Sequence, residues 1–327
     1  MKTLVTGATG LLGANVVREL ESRGREVRVM VRHHSSLAAL QGTRAEVVYG
    51  DIQDPVSLHL AVKDCDTVVH TAANTSQWPV NYSFYEPVNV TGTRNVMNAC
   101  RDEGITRIVH VSTANSFGPG SKENPGTELS EFSGFRHGSG YVISKYVAQQ
   151  YVLSEVERSG LPAVIVNPTF MIGPWDVKPS SGRIIGMFLN RKVQFYPPGG
   201  KNFIDVRDAA AGVCNALERG KPGECYLLAS ENLTYLEFIT LLNRITGRNP
   251  VKIKIPPAPI WLAGMYGSLS ERISGKPAPL NQVNARLLKL NNYYTGRKAV
   301  TELGLPQNPV ENAVRDAIRW FENHSGI

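Results

Sequence analysis

The stretch TGATGLLG, Thr6–Gly13, decides the fold of this chain. It begins where Lys2–Thr6, a short and partly β-branched run, comes to an end. Beyond it Leu12, Val16, Val17 and Leu20 recur at helical spacing, and Gly24 marks the stop. A strand, a glycine-rich turn and a helix in that order form the context of a dinucleotide fingerprint. Glycines let the backbone turn sharply and approach a pyrophosphate, and the helix start supplies free N–H groups and a positive dipole end. A surface turn with three glycines is the alternative. The cradle reading assigns Thr6, Gly7, Thr9, Gly10, Leu11, Leu12 and Gly13 to a cofactor.

Further along, the strand-like runs are 26–31, 46–49, 67–70, 107–112 and 163–167. Helical runs span 89–103 and 141–158, the latter stopped by Gly160. Strands alternating with helices predict parallel βαβ units with helices on both faces, an α/β doubly wound sheet of Rossmann type. After Pro168 prolines and glycines become frequent and the alternation loosens. Strand-like pieces at 225–228 and 251–255 mix with helices, and Val310, Ala313, Val314, Ala317, Ile318 and Phe321 mark a terminal amphipathic helix. The expected organisation is a cofactor-binding domain over 1–168 and a smaller, interleaved substrate-binding region over 169–327, some of whose segments return to the first domain.

Composition narrows the class. The chain has 327 residues, 42% hydrophobic and 19% charged, as in an ordinary globular protein. No secretory leader is expected from the MKTLVTG start. No apolar run reaches the ~20 residues of a membrane span, and Pro256–Leu262 is short and broken by proline. A membrane partner is therefore not expected. Cys65, Cys100, Cys214 and Cys225 form no C-x-x-C pair, so free thiols, no metal site and a reducing cytoplasm are expected. The net charge of +7 is dispersed, which argues against a nucleic-acid partner.

The end of the second strand selects the dinucleotide. An acid there would bind the ribose 2′-OH of NAD. Here Val29-Met-Val-Arg-His33 holds no acid, and Arg32 stands where a 2′-phosphate would lie, which favours NADP over NAD. The alternative for Arg32 is a solvated charge. Asp51, followed by Ile52, lies after the third strand, either within reach of an adenine amino group or as a helix-capping aspartate.

Tyr141-Val-Ile-Ser-Lys145 places a phenol and an ammonium on one helix face. The lysine is expected to lower the tyrosine pKa and make it a proton donor for a carbonyl receiving hydride. A second such pair, Tyr294 and Lys298, contains Gly296, has no adjoining hydroxyl-bearing strand, and reads as structural. The first pair has Val111-Ser112-Thr113 at a strand's carboxyl end, the edge where open α/β sheets place ligands.

With these motifs in order, the chain resembles the extended short-chain dehydrogenase/reductase family over nearly its whole length. TGATGLLG, Gly50-Asp51, His70-Thr-Ala-Ala73, Asn89-Val-Thr-Gly-Thr93, Val111-Ser-Thr113, Tyr141-x-x-x-Lys145 and Asn167-Pro168 carry the resemblance. The branch is dihydroflavonol-reductase-like, as suggested by Pro168–Pro174 followed by Lys178–Arg183. The resemblance implies Thr113, Tyr141 and Lys145 as the catalytic set, with Ser112 the other candidate hydroxyl. It implies that Asn89 belongs to the helix supporting the lysine through water. Thr71, Ala72, Ala73, Val111, Asn167 and Pro168 would border the cofactor. It also implies a homodimer, paired through the helices 89–103 and 141–158.

Epimerases of this family commonly show Arg-Asp-Phe-Ile-His-Val, whereas this chain has Lys201-Asn-Phe-Ile-Asp-Val206. Segments expected at the pocket are aromatic and apolar. Trp78 and Tyr82 lie in one; Phe170, Met171, Ile172 and Trp175 lie in another; Phe203 joins them. An apolar or aromatic ketone or aldehyde is the expected substrate. A nucleotide-sugar epimerase or dehydratase, or a non-catalytic NADP-binding regulator, stays open.

Overall fold

A computed structural model describes residues 1–189 and 191–324. The first half builds as a repeated strand–helix unit. β1 (Lys2–Thr6), α1 (Leu11–Ser22), β2 (Glu26–Val31), β3 (Glu46–Tyr49), α2 (Pro55–Val62) and β4 (Thr67–His70) come first. α3 (Gly92–Asp102), β5 (Arg107–Val111), α4 (Gly140–Ser159) and β6 (Ala163–Pro168) follow. The sheet is parallel throughout, with seven strands ordered β10-β6-β5-β4-β1-β2-β3, where β10 is Cys225–Leu228. The order reverses between β1 and β4, and ligands bind open sheets outside such a switch point. Val5, Val69, Val109, Val164 and Val166 are buried on one face, and Leu4, Val68, Ile108 and Ile165 on the other. Burial on both faces explains why these strands read as near-continuous apolar runs.

Two helix ends differ from the sequence reading. The helix expected over 89–103 enters through a widened π-turn, Pro87–Thr91, before α3 begins. The apolar run 256–262 is no broken segment. Pro256 and Pro257 open α8 (Pro257–Ser274), because a proline loses nothing at a first helical position.

Beyond β6 the chain alternates between two layers. β7 (Phe170–Ile172) pairs with β9 (Gly200–Asp205), and β9 also pairs with β11 (Glu231–Thr234) and β13 (Asn291–Asn292). α5 (Arg183–Phe188) and β8 (Val193–Tyr196) lie between β7 and β9; β8 pairs with β12 (Val251–Lys254). α6 (Val206–Arg219) packs against α1 under the large sheet, and β10 then closes that sheet's edge. α7 (Tyr235–Thr246) and α10 (Val310–His324) enclose a second apolar core around Phe203, Phe238, Val314 and Phe321. α9 (Gln282–Leu287) packs on α8.

Candidate active site

The glycine turn is shaped by contacts a side chain would destroy. Gly7 has φ +72°, and a Cβ there would lie 2.5 Å from the Ala72 nitrogen. A Cβ on Gly13 would run into the Gly7 carbonyl oxygen, so α1 starts tight against the turn. Gly10 is exposed, and a Cβ on it would meet only the Gly7 oxygen, at 3.4 Å. No side chain caps α1 at Gly10. The first-turn N–H groups of Leu11 and Leu12 are thus left for a ligand, and a pyrophosphate suits that cradle. Thr9 flanks it, partly exposed, while Leu12 is buried in the core.

Around the turn, Thr71 Oγ1 donates to the Thr6 carbonyl at 2.7 Å, and Ala72 and Ala73 continue the rim, partly exposed. Arg32 follows β2 and is exposed, and its guanidinium has no partner among the described residues. Beside it His33 stacks on Tyr49 at 4.7 Å. Asp51 Oδ1 accepts from Gln53 N at 2.9 Å, and it is Asp54 that caps α2, accepting from Val56 N. The helix-capping alternative for Asp51 is thereby removed. Ile52 points inward against Gly92, where a Cβ would lie 2.6 Å from its Cδ1, so its side chain belongs to the core.

At the carboxyl end of β5 the two candidate hydroxyls part, as successive strand residues do. Ser112 Oγ pairs with Ser116 Oγ at 3.1 Å inside the protein. Thr113 Oγ1 instead accepts from Asn115 N at 3.3 Å and lies close enough to Tyr141 to pull its pKa down. Asn167 at the end of β6 fixes that arrangement by donating to the Thr113 carbonyl at 2.9 Å and to Gln149 Oε1 at 2.7 Å. Pro168 is buried behind it. Asn167 and Gln149 therefore hold the segment carrying Thr113 from beneath. Gln149, two turns along α4 from Tyr141 and one from Lys145, shows itself only in the fold.

Ser139 caps α4 by accepting from Val142 N at 3.4 Å, which starts the helix just before Tyr141. Burial pushes the Tyr141 phenol up to about 12, against a smaller downward pull from Thr113. The expected effect of Lys145 on that phenol is not seen. Lys145 Nζ donates to the Val111 carbonyl at 2.7 Å, and burial brings its pKa down to about 8. Tyr85, in the aromatic segment, packs edge-on to Tyr141 with ring centres 6.2 Å apart. Its hydroxyl donates to the Pro79 carbonyl at 2.6 Å, which ties the 76–79 loop to the site.

Asn89 sits in the turn that leads into α3. Its side chain accepts from Asn74 N at 2.7 Å and donates to Ser144 Oγ at 2.9 Å, and its carbonyl accepts from Thr93 Oγ1. It therefore steadies α4 through Ser144, the residue before the lysine. Beneath lies a buried row across the sheet, Thr6, His70 and His110. Thr93 Oγ1 gives its proton to Asn89, so it accepts from His70 Nε2, and His70 Nδ1 accepts from Thr6 Oγ1 at 2.7 Å. The His110 ring nitrogens have no hydrogen-bond partner among the described residues. Burial, then the Lys145 charge, holds His70 down at about 3 and His110 well below the ordinary value.

The apolar wall differs in part from the sequence reading. Trp78, Tyr82, Phe170 and Met171 keep part of their surface. Phe203 does not: it is wholly buried, edge-on to Phe170 and stacked on Phe238 at 4.5 Å. Ile172 lies in the same core, and Trp175 turns away to lie under Arg18 of α1, 3.5 Å from its guanidinium carbon. Tyr294 and Lys298 are structural: the tyrosine donates to the Phe117 carbonyl and the lysine pairs with Glu224.

The sequence model of the NAD dependent epimerase/dehydratase family matches residues 3–229. A putative dihydroflavonol 4-reductase of Synechocystis sp. is 36% identical over 99% of this chain and 95% of its own length. Sterol demethylase protein B of Methylococcus capsulatus is 35% identical over the full length of both chains. Among solved structures, gox2253 superposes with a TM-score of 0.86 at 34% identity, covering 99% of this chain and 98% of its own.

Proposed function

Because this chain belongs to the NAD dependent epimerase/dehydratase family, we propose that it is an NADP-dependent reductase of an apolar or aromatic ketone or aldehyde. The coarse activity follows from the family and its reductase-named relatives: an enzyme acting on the CH–OH/C=O pair with a nicotinamide cofactor. When bound, that cofactor supplies the hydride. Thr113 holds the carbonyl oxygen by hydrogen bond, and Tyr141 delivers the proton as charge grows on that oxygen. Lys145, anchored on the Val111 carbonyl, would hold the cofactor's nicotinamide ribose.

The observation that carries the reductive direction is the Tyr141 phenol, kept protonated by burial beside Thr113. An alkoxide is a much stronger base than a phenolate, so such a phenol still gives up its proton readily. Oxidation of an alcohol, the opening step of sugar epimerisation, would need the phenolate, which burial disfavours. Lys201-Asn202 in place of Arg-Asp further supports the reductase over the epimerase. Support for an apolar substrate comes from the partly exposed Trp78 and Phe170 and from the sterol in one relative's name. The unpartnered Arg32 supports NADP. Four free cysteines support a reducing, cytoplasmic setting.

The test is NADPH consumption against a panel of apolar ketones and aldehydes, with UDP- and dTDP-sugars alongside. Turnover of an apolar carbonyl is expected. Sugar-nucleotide conversion without added reductant, and none of the carbonyls, would overturn the reading. Arg32→Ala is expected to remove most of the preference for NADPH over NADH in a fluorescence titration.

A further inference from the structure

α8 carries an apolar face with no partner among the described residues. Trp261, Leu262, Met265, Tyr266, Leu269 and Ile273 are all exposed, with Tyr266 at 76% and Ile273 at 77%. At ~100° per residue these six span about 140° of the helix. The opposite strip is what holds α8 in place. Gly264 and Gly267 are buried there; a Cβ on the first would lie 2.6 Å from the Ala285 Cβ, and one on the second would overlap the Leu280 carbonyl oxygen. Glycine thus lets α8 lie directly on the 280–285 segment while its wide apolar face stays in water.

The charges around this face share one sign. No charged residue occurs from Pro256 to Ser270. Lys252 and Lys254 precede that stretch, Arg272 and Lys276 follow it, and none of the four has an ion pair or side-chain hydrogen bond among the described residues. The single acid, Glu271, is engaged: its Oε1 accepts from Ala278 N and Asn281 Nδ2. In β12, which leads into α8, Ile253 is exposed opposite the exposed Phe195 of β8.

We propose that this face docks on the surface of an anionic phospholipid bilayer. A helix with a broad apolar face containing Trp and Tyr, bordered by cations, lies in the interfacial plane with its apolar side among the headgroups. No helix among the described residues is long and apolar enough to cross a membrane, so the attachment is to the surface. Surface attachment needs no membrane span, so an apolar stretch too short to cross a bilayer is compatible with it. A second copy of the chain fits less well. A two-fold contact apposes the same patch on both subunits and would bring cations against cations with no free acid to meet them. The back of α8 leads to the site, since α9 also contacts the turn Gly134–His137 ahead of Tyr141. A docked enzyme would hold that turn close to the membrane. The surface argument does not depend on which carbonyl is reduced.

The experiment is co-sedimentation of the full chain with phosphatidylcholine vesicles, with and without phosphatidylglycerol. Two variants accompany it: Leu262→Ser/Tyr266→Ser/Ile273→Ser, and Lys252→Gln/Lys254→Gln/Arg272→Gln/Lys276→Gln. Binding to the anionic vesicles is expected, at least about tenfold stronger than to phosphatidylcholine alone and weakened by salt. The apolar variant should lose at least about tenfold on anionic vesicles. The charge variant should lose the preference for phosphatidylglycerol, and both should keep NADPH affinity. No sedimentation with either vesicle overturns the proposal, as does undiminished binding by both variants. A solution oligomer that the apolar variant dissociates also overturns it, because the face would then be a self-interface.

Discussion

Thr113 and Ser112 are neighbours with different duties. One faces Tyr141; the other is spent on Ser116. Thr113→Ala is therefore expected to lower turnover by about a hundredfold, the scale of one lost donor to a developing oxyanion. Ser112→Ala should change turnover only slightly under the same NADPH assay. Tyr141→Phe should bind NADPH nearly normally and lose on the order of a hundredfold or more in turnover; full turnover would remove Tyr141 as the acid. The buried histidines yield a prediction in pH. The folded pKa of His70 is about 3 and that of His110 lies well below the ordinary 6.5, so the stability they carry is complete above 6.5 and is lost as pH falls below it. Each contributes a slope of about 1.4 kcal/mol per pH unit within that window. His110→Phe should remove one such slope in urea titrations between pH 6 and about 4. It should cost little at neutral pH, because neither ring nitrogen has a hydrogen-bond partner among the described residues to lose.

Among the elements, α8 offers the sharpest contrast. Gly267→Ala puts a methyl into the Leu280 carbonyl, which the backbone cannot yield cheaply, and should cost about 1–3 kcal/mol with faster amide exchange in α8 and α9. Gly275, which ends α8 at φ +64° with open space around it, should cost about 1 kcal/mol as alanine. Most early elements were legible because their strands are buried on both faces and their helices stop at glycines: β2 spans Glu26–Val31 as the alternation predicts, whereas α2, which ends at Lys63, has no such signal. The late elements were not. β7, β9, β11 and β13 are short, and their pairing joins segments far apart in the chain, which no local pattern records. The site divides the same way. Spacing brought Tyr141, Lys145 and Thr113 to notice, but Gln149, Tyr85 and the Ser116 that claims Ser112 are contacts of the fold. The bond from Lys145 to the Val111 carbonyl is not legible in the sequence, because helical spacing fixes which face a side chain shares and not which carbonyl captures it.

On the scale of the whole molecule, we propose pairing of two chains through α3 and α4. None of the exposed large hydrophobic side chains lies on α3 or α4 among the described residues, so such a contact would be of modest apolar content. Light scattering is expected to give twice the 35.8 kDa chain mass, unchanged by the α8 substitutions. A chain mass alone at micromolar concentration would count against the pairing. The edge strand β10 has a consequence for how the molecule is made. β6 ends at Pro168, yet the strand that covers its open edge does not begin until Cys225, after an excursion that builds half of the other layer. A nascent chain leaving the ribosome therefore carries six strands of the sheet with a bare, apolar border until β10 emerges. A fragment stopped at residue 168 is expected to precipitate, whereas one extended past α6 and β10 should stay dispersed.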